Sequence, residues 1–428
     1  MFDIVALGES LIDFTPSGEN SQGMALFARN PGGAPANVLA MAAKLGGKTA
    51  FIGKVGDDAF GAFLKKTMED AGVDVRGLRM TREYPTTLAF VQLTPEGDRS
   101  FTFYRKPGAD VMLAPADVDR ALLRDCRIFH FGSVSLTDEP CRTATLEAAR
   151  EAKAAGAMIS YDPNYRPFLW DSAERAREAL LAALPLADIV KVSEEEMELL
   201  TGEVQLAAGA DALASRGAAL VLVTLGPRGA YYRAAAGRGL LPACEVDTVD
   251  TTGAGDAFLG ALLSCLAGKT LEELRILPQA QWERIVAFAN AAGSLTTAAK
   301  GAGHARAGAD PAAVRRMTNS LRVFSCAACK QGLCPHCGAQ ALFLCRSLRK
   351  GDRVVFQRGD YGQRFQAHSR CPHQRAAALL LLFNDDAAAS ALRARLPHDV
   401  NEAQQCLSPG EEIVQDEHSV LRAEKFFG

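Results

Sequence analysis

The sequence predicts an α/β fold built on a mainly parallel sheet with helices on both faces. Three observations carry this. Over residues 1–317, short Val/Ile/Leu-rich runs take turns with longer Ala/Leu/Glu/Arg-rich stretches, the order expected of successive βαβ units. The apolar runs are continuous rather than alternating, as strands covered on both faces are. Beyond residue 317 that rhythm stops, and seven of the eleven cysteines lie after residue 320.

Taken in order, "MFDIVALGESLIDF" reads as a strand that begins at once, with Asp13 at its end. It has no basic n-region and no small-residue cleavage site, so a signal peptide is not expected. "NPGGAPANVLAMAAKLGG" (30–47) is a glycine turn leading into an apolar helix. "TTLAFVQLTPEGDRSFTFYR" (86–105) has two β-rich runs around the turn cluster "TPEGD". That is an antiparallel hairpin, either an edge element or a lid. "RIFHFGSVS" (127–135), "AMISYDP" (157–163), "ADIVKVS" (187–193) and "ALVLVTLG" (219–226) are the buried strands, and "CRTATLEAAREAKAAG" (141–156) is an intervening helix.

Composition sets outer limits. With 428 residues, one large α/β domain plus an extra piece is expected. A formal net charge of −3 gives no basic excess to attract nucleic acid or an anionic membrane. No apolar run approaches the roughly 18–20 residues of a spanning helix, so a soluble, cytoplasmic protein is expected. Cys126, Cys141, Cys244 and Cys265 are scattered and read as reduced thiols.

"VDTTGAGDAF" (249–258) places a carboxylate where glycines open a helix. A helix start presents unpaired N–H groups and partial positive charge, so Gly253, Ala254 and Gly255 form a candidate cradle for a phosphoryl group. Asp256 would repel phosphate, but it makes sense if a substrate hydroxyl lies between the two, with Asp256 taking the proton. The helix end would keep that carboxylate ionised. A plain strand–turn–helix with a first-turn aspartate fits the same ten residues.

Other positions also have two readings. Gly32 and Gly33 permit close approach of a ligand and Asn37 offers a two-way amide. Asp13 can accept from two adjacent sugar hydroxyls. A capping turn and an Asx turn explain the same residues. Thr224, Gly226 and Gly229 in "VTLGPRGAYY" either hug a nucleotide or make a hairpin. In "KVSEEEMELL" Ser193 and Glu196 have capping-box spacing; the functional reading makes Glu196 an organiser of Mg²⁺–phosphate waters.

"PGGAPANV…LGGKTAFIGKVGDDAFG" and "VDTTGAGDAFLGALL" together resemble the paired signatures of the ribokinase-like sugar kinases, the phosphofructokinase-B family, over roughly residues 1–310. "FYRKPGADVML", "FHFGSVSLTDEP", "SYDPNYRPFLW" and "KVSEEE" look most like the fructokinase branch. The resemblance implies a three-layer α/β sandwich with a small β-lid. It also implies ATP- and Mg²⁺-dependent phosphorylation of fructose at its terminal hydroxyl. Asp256 is then the base and Gly253–Gly255 the anion hole. Asp13, Gly33 and Asn37 match sugar-contacting positions, joined by Glu139. Thr224 through Gly229 and Asn290 match the nucleotide site, flanked by Lys191 and Ser193. Glu196 matches the glutamate of an Asn-x-x-Glu motif in which Ser193 replaces the usual Asn. Asp250 and Thr252 fall where relatives hold K⁺, largely through backbone oxygens. Lids in this family often pair between subunits, which implies a homodimer.

Arg105 and Arg166 are candidates to face the pocket. Two arginines suit a carboxylate, which keeps 2-keto-3-deoxygluconate or another sugar as the alternative substrate; Arg105 can equally bind the sugar hydroxyls or pair within the lid. After residue 317, Cys326, Cys329, Cys334 and Cys337 form CxxC-x4-CxxC, four thiolates able to bind Zn²⁺ tetrahedrally, although four residues between the pairs is short for a zinc ribbon. "SCAACKQGLC" followed by "LRKGDRVVFQRGD" faintly resembles oxygen-sensing regulators with an iron–sulfur cluster. The remaining reading of 318–428 is a poorly ordered or anomalous extension, such as a fusion or a sequencing artefact. The alternative for the whole chain is a regulatory or metal-sensing protein that uses a kinase-like domain for binding.

Overall fold

The computed structural model describes residues 1–93 and 99–298 and, beyond them, the short segments 312–314, 344–347, 353–357 and 364–368. The chain divides into two units, Met1–Thr318 and Asn319–Gly428.

In chain order the first unit runs β1 (Phe2–Leu7), β2 (Leu11–Glu19), β3 (Ala25–Gly32), α1 (Ala34–Lys44), β4 (Thr49–Gly56), α2 (Ala59–Asp70), β5 (Val73–Thr81), β6 (Leu88–Leu93), β7 (Arg99–Tyr104), α3 (Arg120–Arg124), β8 (Cys126–Gly132), α4 (Cys141–Ala154), β9 (Met158–Asp162), α5 (Ala173–Ala183), β10 (Ile189–Ser193), α6 (Glu194–Thr201), α7 (Leu206–Ala214), β11 (Leu220–Thr224), β12 (Ala230–Ala234), β13 (Gly237–Leu241), α8 (Ala254–Leu266), α9 (Leu271–Ile276) and α10 (Gln279–Thr297).

Nine strands form one sheet in the order β13-β12-β11-β10-β9-β8-β1-β4-β5. Every neighbouring pair from β11 to β5 is parallel, while β12 and β13 extend the other edge antiparallel. The apolar runs are continuous because both faces are covered. Val5, Leu7, Phe129, Phe131, Ile159 and Val190 point to one side, against Ala144 and Ala148 of α4 and Leu180 of α5. Their neighbours Ile4, Ala6, Ile128, Met158 and Ile189 point to the other, against Leu39 of α1, Phe258 and Leu262 of α8, and Val286 of α10. The result is the expected three layers. Full burial of each large aliphatic side chain contributes about 1.5–3 kcal/mol.

A second sheet is larger than the sequence reading foresaw. The predicted hairpin is present as β6 and β7, which pair antiparallel, with its turn residues 94–98 outside the described residues. However, β2 and β3 join it, giving the order β3-β2-β6-β7. The opening "strand" to Phe14 is therefore two strands. β1 ends at Leu7, and Asp13 lies within β2 of the lid rather than at the end of the first strand. The signal was weak because the later part of β2 and half of β3 are solvent-exposed and the ladder slips between Pro16 and Glu19, so no clean period-2 pattern survives. Phe14 stacks on Phe90 at 4.9 Å and meets Phe60 edge-on at 5.8 Å, seating the lid on α2. Met24, Leu26, Phe27 and Tyr104 remain exposed.

The second unit contains a three-stranded antiparallel sheet of β14 (Leu344–Ser347), β15 (Arg353–Gln357) and β16 (Arg364–His368). Cys326, Cys329, Cys334 and Cys337 lie outside the described residues. Among the described residues, no helix is long and apolar enough to cross a membrane.

Candidate active site

The site forms at the carboxyl ends of the parallel strands, where open α/β sheets place their ligands. Asp162 ends β9, Ser193 ends β10 and Thr224 ends β11. Above them α8 begins. Its N-cap, Gly253, has φ 78° and ψ 1°, a left-handed geometry that glycine adopts without steric cost. The helix then places Asp256 one turn in and buries it. Ala254 N–H turns back to Thr251 O at 3.2 Å. The N–H groups of Gly255 and Asp256 are those that a helix start leaves without intrahelical partners.

The two glycine-opened helices meet here. Asn37, in the first turn of α1, donates from Nδ2 to Asp256 Oδ2 at 2.9 Å across 219 residues of sequence. Gly260 makes the approach possible: a Cβ there would lie 2.5 Å from Val38 O, so any side chain would wedge α8 off α1. Asn37 Oδ1 is buried with no hydrogen-bond partner among the described residues. It is an acceptor left open beside a carboxylate. Gly33, with φ 110°, caps α1, and Asn37 N–H donates back to its carbonyl at 3.0 Å. Gly32 packs against the Asp13 carboxylate, so both glycines and Asp13 converge on one turn.

Beneath α8 lies a buried ion pair. Lys191 Nζ is 2.9 Å from Asp162 Oδ2, with both side chains under a tenth exposed. The same ammonium lies 3.1 Å from where a Cβ of Gly255 would be, directly under the helix start. Burial pulls the Lys191 ammonium down, but Asp162 and then Glu196 outweigh it, and the group sits above the ordinary lysine range. Burial also pushes Asp256 up from the ordinary aspartate range. Donation from Asn37 opposes that rise, Asp162 adds to it, and Lys191 and Arg166 oppose it. The helix end therefore does not hold Asp256 at an ordinary carboxylate pKa, because removal from water is the larger effect.

Glu196 and Ser193 form a complete capping box. Ser193 N–H donates to Glu196 Oε2 at 2.7 Å and Glu196 N–H to Ser193 Oγ at 3.1 Å. Glu196 Oε1 also accepts from Tyr165 N–H at 2.6 Å. Burial, with Asp162, raises its pKa. Both oxygens hold backbone, so the donor set fits a cation reached through water rather than one bound directly. Asp250 Oδ1 accepts from both the N–H and the hydroxyl of Thr252, at 2.9 and 2.7 Å. That carboxylate oxygen shapes the turn, so a monovalent ion there would rely on backbone oxygens.

On the nucleotide side, Thr224 Oγ1 donates to Val192 O at 3.2 Å, and Gly226 and Gly229 flank one helical turn inside the β11–β12 hairpin. Asn290 donates from Nδ2 to Leu241 O and Pro242 O at 2.9 and 3.0 Å, fastening α10 to the end of β13.

Two expected contacts are not gathered around Asp256. Arg105 is buried: Nε donates to Asp110 Oδ2 at 2.8 Å, Nη1 to Thr137 Oγ1 at 2.9 Å and Nη2 to Val134 O at 2.8 Å. It anchors the root of β7. Glu139 is exposed and accepts from Thr143 N–H at 3.1 Å in the first turn of α4. Arg166, by contrast, lies close enough to act electrostatically on Asp256.

Asp162, Asn164 and Glu9 were not singled out in the sequence. Asp162 had a visible signal, a carboxylate closing a buried parallel strand. Asn164 Nδ2 approaches Asp256 Oδ1 at 3.4 Å. Glu9 had none: only the fold shows that its Oε1 accepts from Ala34 N–H at 2.9 Å, at the start of α1, while Oε2 is buried without a partner among the described residues. Burial pushes Glu9 up to about 7. A raised carboxylate pKa stabilises the fold below the unfolded value near 4.5, and that stability is lost as pH rises through about 7. Glu9→Gln should therefore flatten the fall in thermal stability across that window; a variant melting curve parallel to wild type at every pH would refute this.

The fold and site together define a phosphotransferase of the sugar-kinase class. The chain belongs to the pfkB family of carbohydrate kinases, whose family model matches residues 1–307. It is 46% identical to fructokinase-1 of Oryza sativa subsp. japonica over 307 residues, covering 70% of this chain and 93% of that protein. Among solved structures it is similar to fructokinase with bound ATP from Xylella fastidiosa, at TM-score 0.68 and 33% identity, covering 74% of this chain and 100% of that one. It is also similar to fructokinase from Vibrio cholerae O395 bound to fructose, ADP and calcium ion, at TM-score 0.66 and 36% identity, covering 74% and 98%.

Proposed function

We propose that the unit Met1–Thr318 transfers the γ-phosphoryl group of ATP to the terminal hydroxyl of fructose, giving fructose 6-phosphate and ADP. The contact that carries this reading is Asn37 Nδ2 to Asp256 Oδ2, which joins the two glycine-opened helices at one point. The Asn37–Gly33 turn and Asp13 supply oxygens and an amide for sugar hydroxyls. Asp256 accepts the hydroxyl proton as that oxygen bonds to phosphorus and the bond from phosphorus to the ADP oxygen breaks. The N–H groups opening α8, with Lys191 beneath them, face the charge on the transferring group. A divalent ion, when bound with the nucleotide, would add neutralising charge on the phosphates.

Fructose is favoured over an acidic sugar because a two-arginine carboxylate site is not assembled. All three Arg105 nitrogens donate within the protein, which leaves Arg166. With ATP saturating, kcat/KM should be highest for fructose among fructose, ribose and 2-keto-3-deoxygluconate; a preference for the keto acid would reverse the assignment. The exposed Phe27 and Tyr104 on the lid suit a homodimer through that sheet, which the sedimentation mass checks. The cytoplasm fits the use of ATP and the unbridged thiols of Cys126, Cys141 and Cys265, and cell fractionation checks it.

A further inference from the structure

We propose that Asn164 is a positioning residue for Asp256, completing a two-amide clamp in which Asn37 holds one carboxylate oxygen and Asn164 the other. This rests on the reading of Asp256 as the base.

The geometry is asymmetric. Asn37 reaches Oδ2 at 2.9 Å from α1, and Asn164 reaches Oδ1 at 3.4 Å from the loop after β9. A carboxylate held through one oxygen can still rotate about its own axis; a second donor fixes the plane and so the direction in which the proton is received. Hydrogen bonds of this kind are often long before substrate binds.

Asn164 also occupies an unusual backbone position. Its φ of 49° is the one positive value at a non-glycine among the described residues. Such a conformation is uncommon outside glycine, with Asn among the residues that tolerate it. The surroundings hold it there. Asn164 N–H donates to Asp162 Oδ1 at 3.2 Å, Asp162 Oδ2 is paired with Lys191 at 2.9 Å, and the next N–H, from Tyr165, donates to Glu196 Oε1 at 2.6 Å. A turn by itself would be satisfied by glycine. The side-chain amide is needed only if it has a target, and its target is Asp256.

Asn164→Gly keeps the turn and removes the amide, whereas Asn164→Asp keeps a residue tolerant of the turn but sets a second carboxylate against Asp256. The charged groups that already face Asp256, namely Asp162 from β9, Arg166 from the loop after β9 and Lys191 from β10, stay in both. Asn164→Gly should lower kcat about tenfold with KM for fructose and ATP within about twofold. The acid limb of its kcat/KM profile should move to higher pH, because ionised Asp256 has lost a donor. Asn164→Asp should move that limb further up. Melting curves and binding of a fluorescent ATP analogue confirm that each variant is folded, and the Asp variant serves if the Gly variant is not.

A wild-type rate and limb in Asn164→Gly would overturn the clamp, as would a lower rate in both variants with the limb unmoved. Asp256→Asn separates the two levels. If it keeps most of its rate, the base assignment falls. If it is inactive while Asn164→Gly behaves as wild type, only the clamp falls.

Discussion

Asp256→Asn is expected to lose about 10²–10⁴ of kcat, the usual contribution of a positioned general base, while binding ATP as wild type does. The substitution is nearly isosteric and removes charge from a buried site, so the fold should not suffer. What it removes is the lone pair that receives the sugar proton. The nucleotide side, built on the β11–β12 hairpin and the start of α8, is left as it was. Rapid-quench measurement of ADP formation, alongside nucleotide binding by fluorescence, separates the two. A variant with most of its rate would remove Asp256 from the reaction. The pH profile provides a second check. Burial and Asp162 raise the Asp256 pKa. The rate of the wild-type enzyme should therefore fall as pH drops through a value above the ordinary aspartate range near 3.9. That limb should be absent from whatever rate the Asn variant retains.

Arg105→Leu is expected to destabilise the first unit by about 3–5 kcal/mol, because it leaves Asp110 buried and unpaired by charge. Arg105 and Asp110 are 5% and 2% exposed, 2.8 Å apart, and Asp110 also accepts from Thr87 just before β6. The pair thus ties together the roots of β6 and β7, two of the four lid strands. With roughly 2.1 cal/mol/K of unfolding entropy per residue over about 300 residues, the melting temperature should drop by about 5–8 °C. Adding Asp110→Leu should recover much of that, since replacing both partners of a buried pair costs far less than removing one. The competing expectation, that Arg105 binds substrate, predicts the opposite pattern: a raised sugar KM with an unchanged melting temperature. Calorimetry on the two variants distinguishes them.

The layered α/β core was legible because it depends on local repetition. Runs such as "ALVLVTLG" can be continuous only if both faces of the strand are covered, and β11 is covered on both. The lid was half legible. Its hairpin 86–105 carries β-rich runs around a turn, but β2 and β3 expose much of their length and become strands through pairing rather than through an apolar face. Within the site, Ser193 and Glu196 were visible as a capping box from spacing alone. Asp162 was visible only as a carboxylate closing a buried strand, and Asn164 was not visible at all, because a loop amide looks the same in sequence whether or not a helix from 92 residues later lands on it.

By itself, then, the sequence determined which segments would be buried strands, which turns would open helices, and that Asp256 would stand in the first turn of one. These are properties of neighbouring residues and of side-chain period. The tertiary structure alone decided that Asn37 and Asp256 touch, that Lys191 lies under Gly255, and that Arg105 serves the lid's foundation instead of standing open in the cleft. Those contacts follow from strand order in the sheet and from how closely α1 and α8 can pack. Both are set by the summed burial of many distant side chains rather than by any stretch that can be read along the chain.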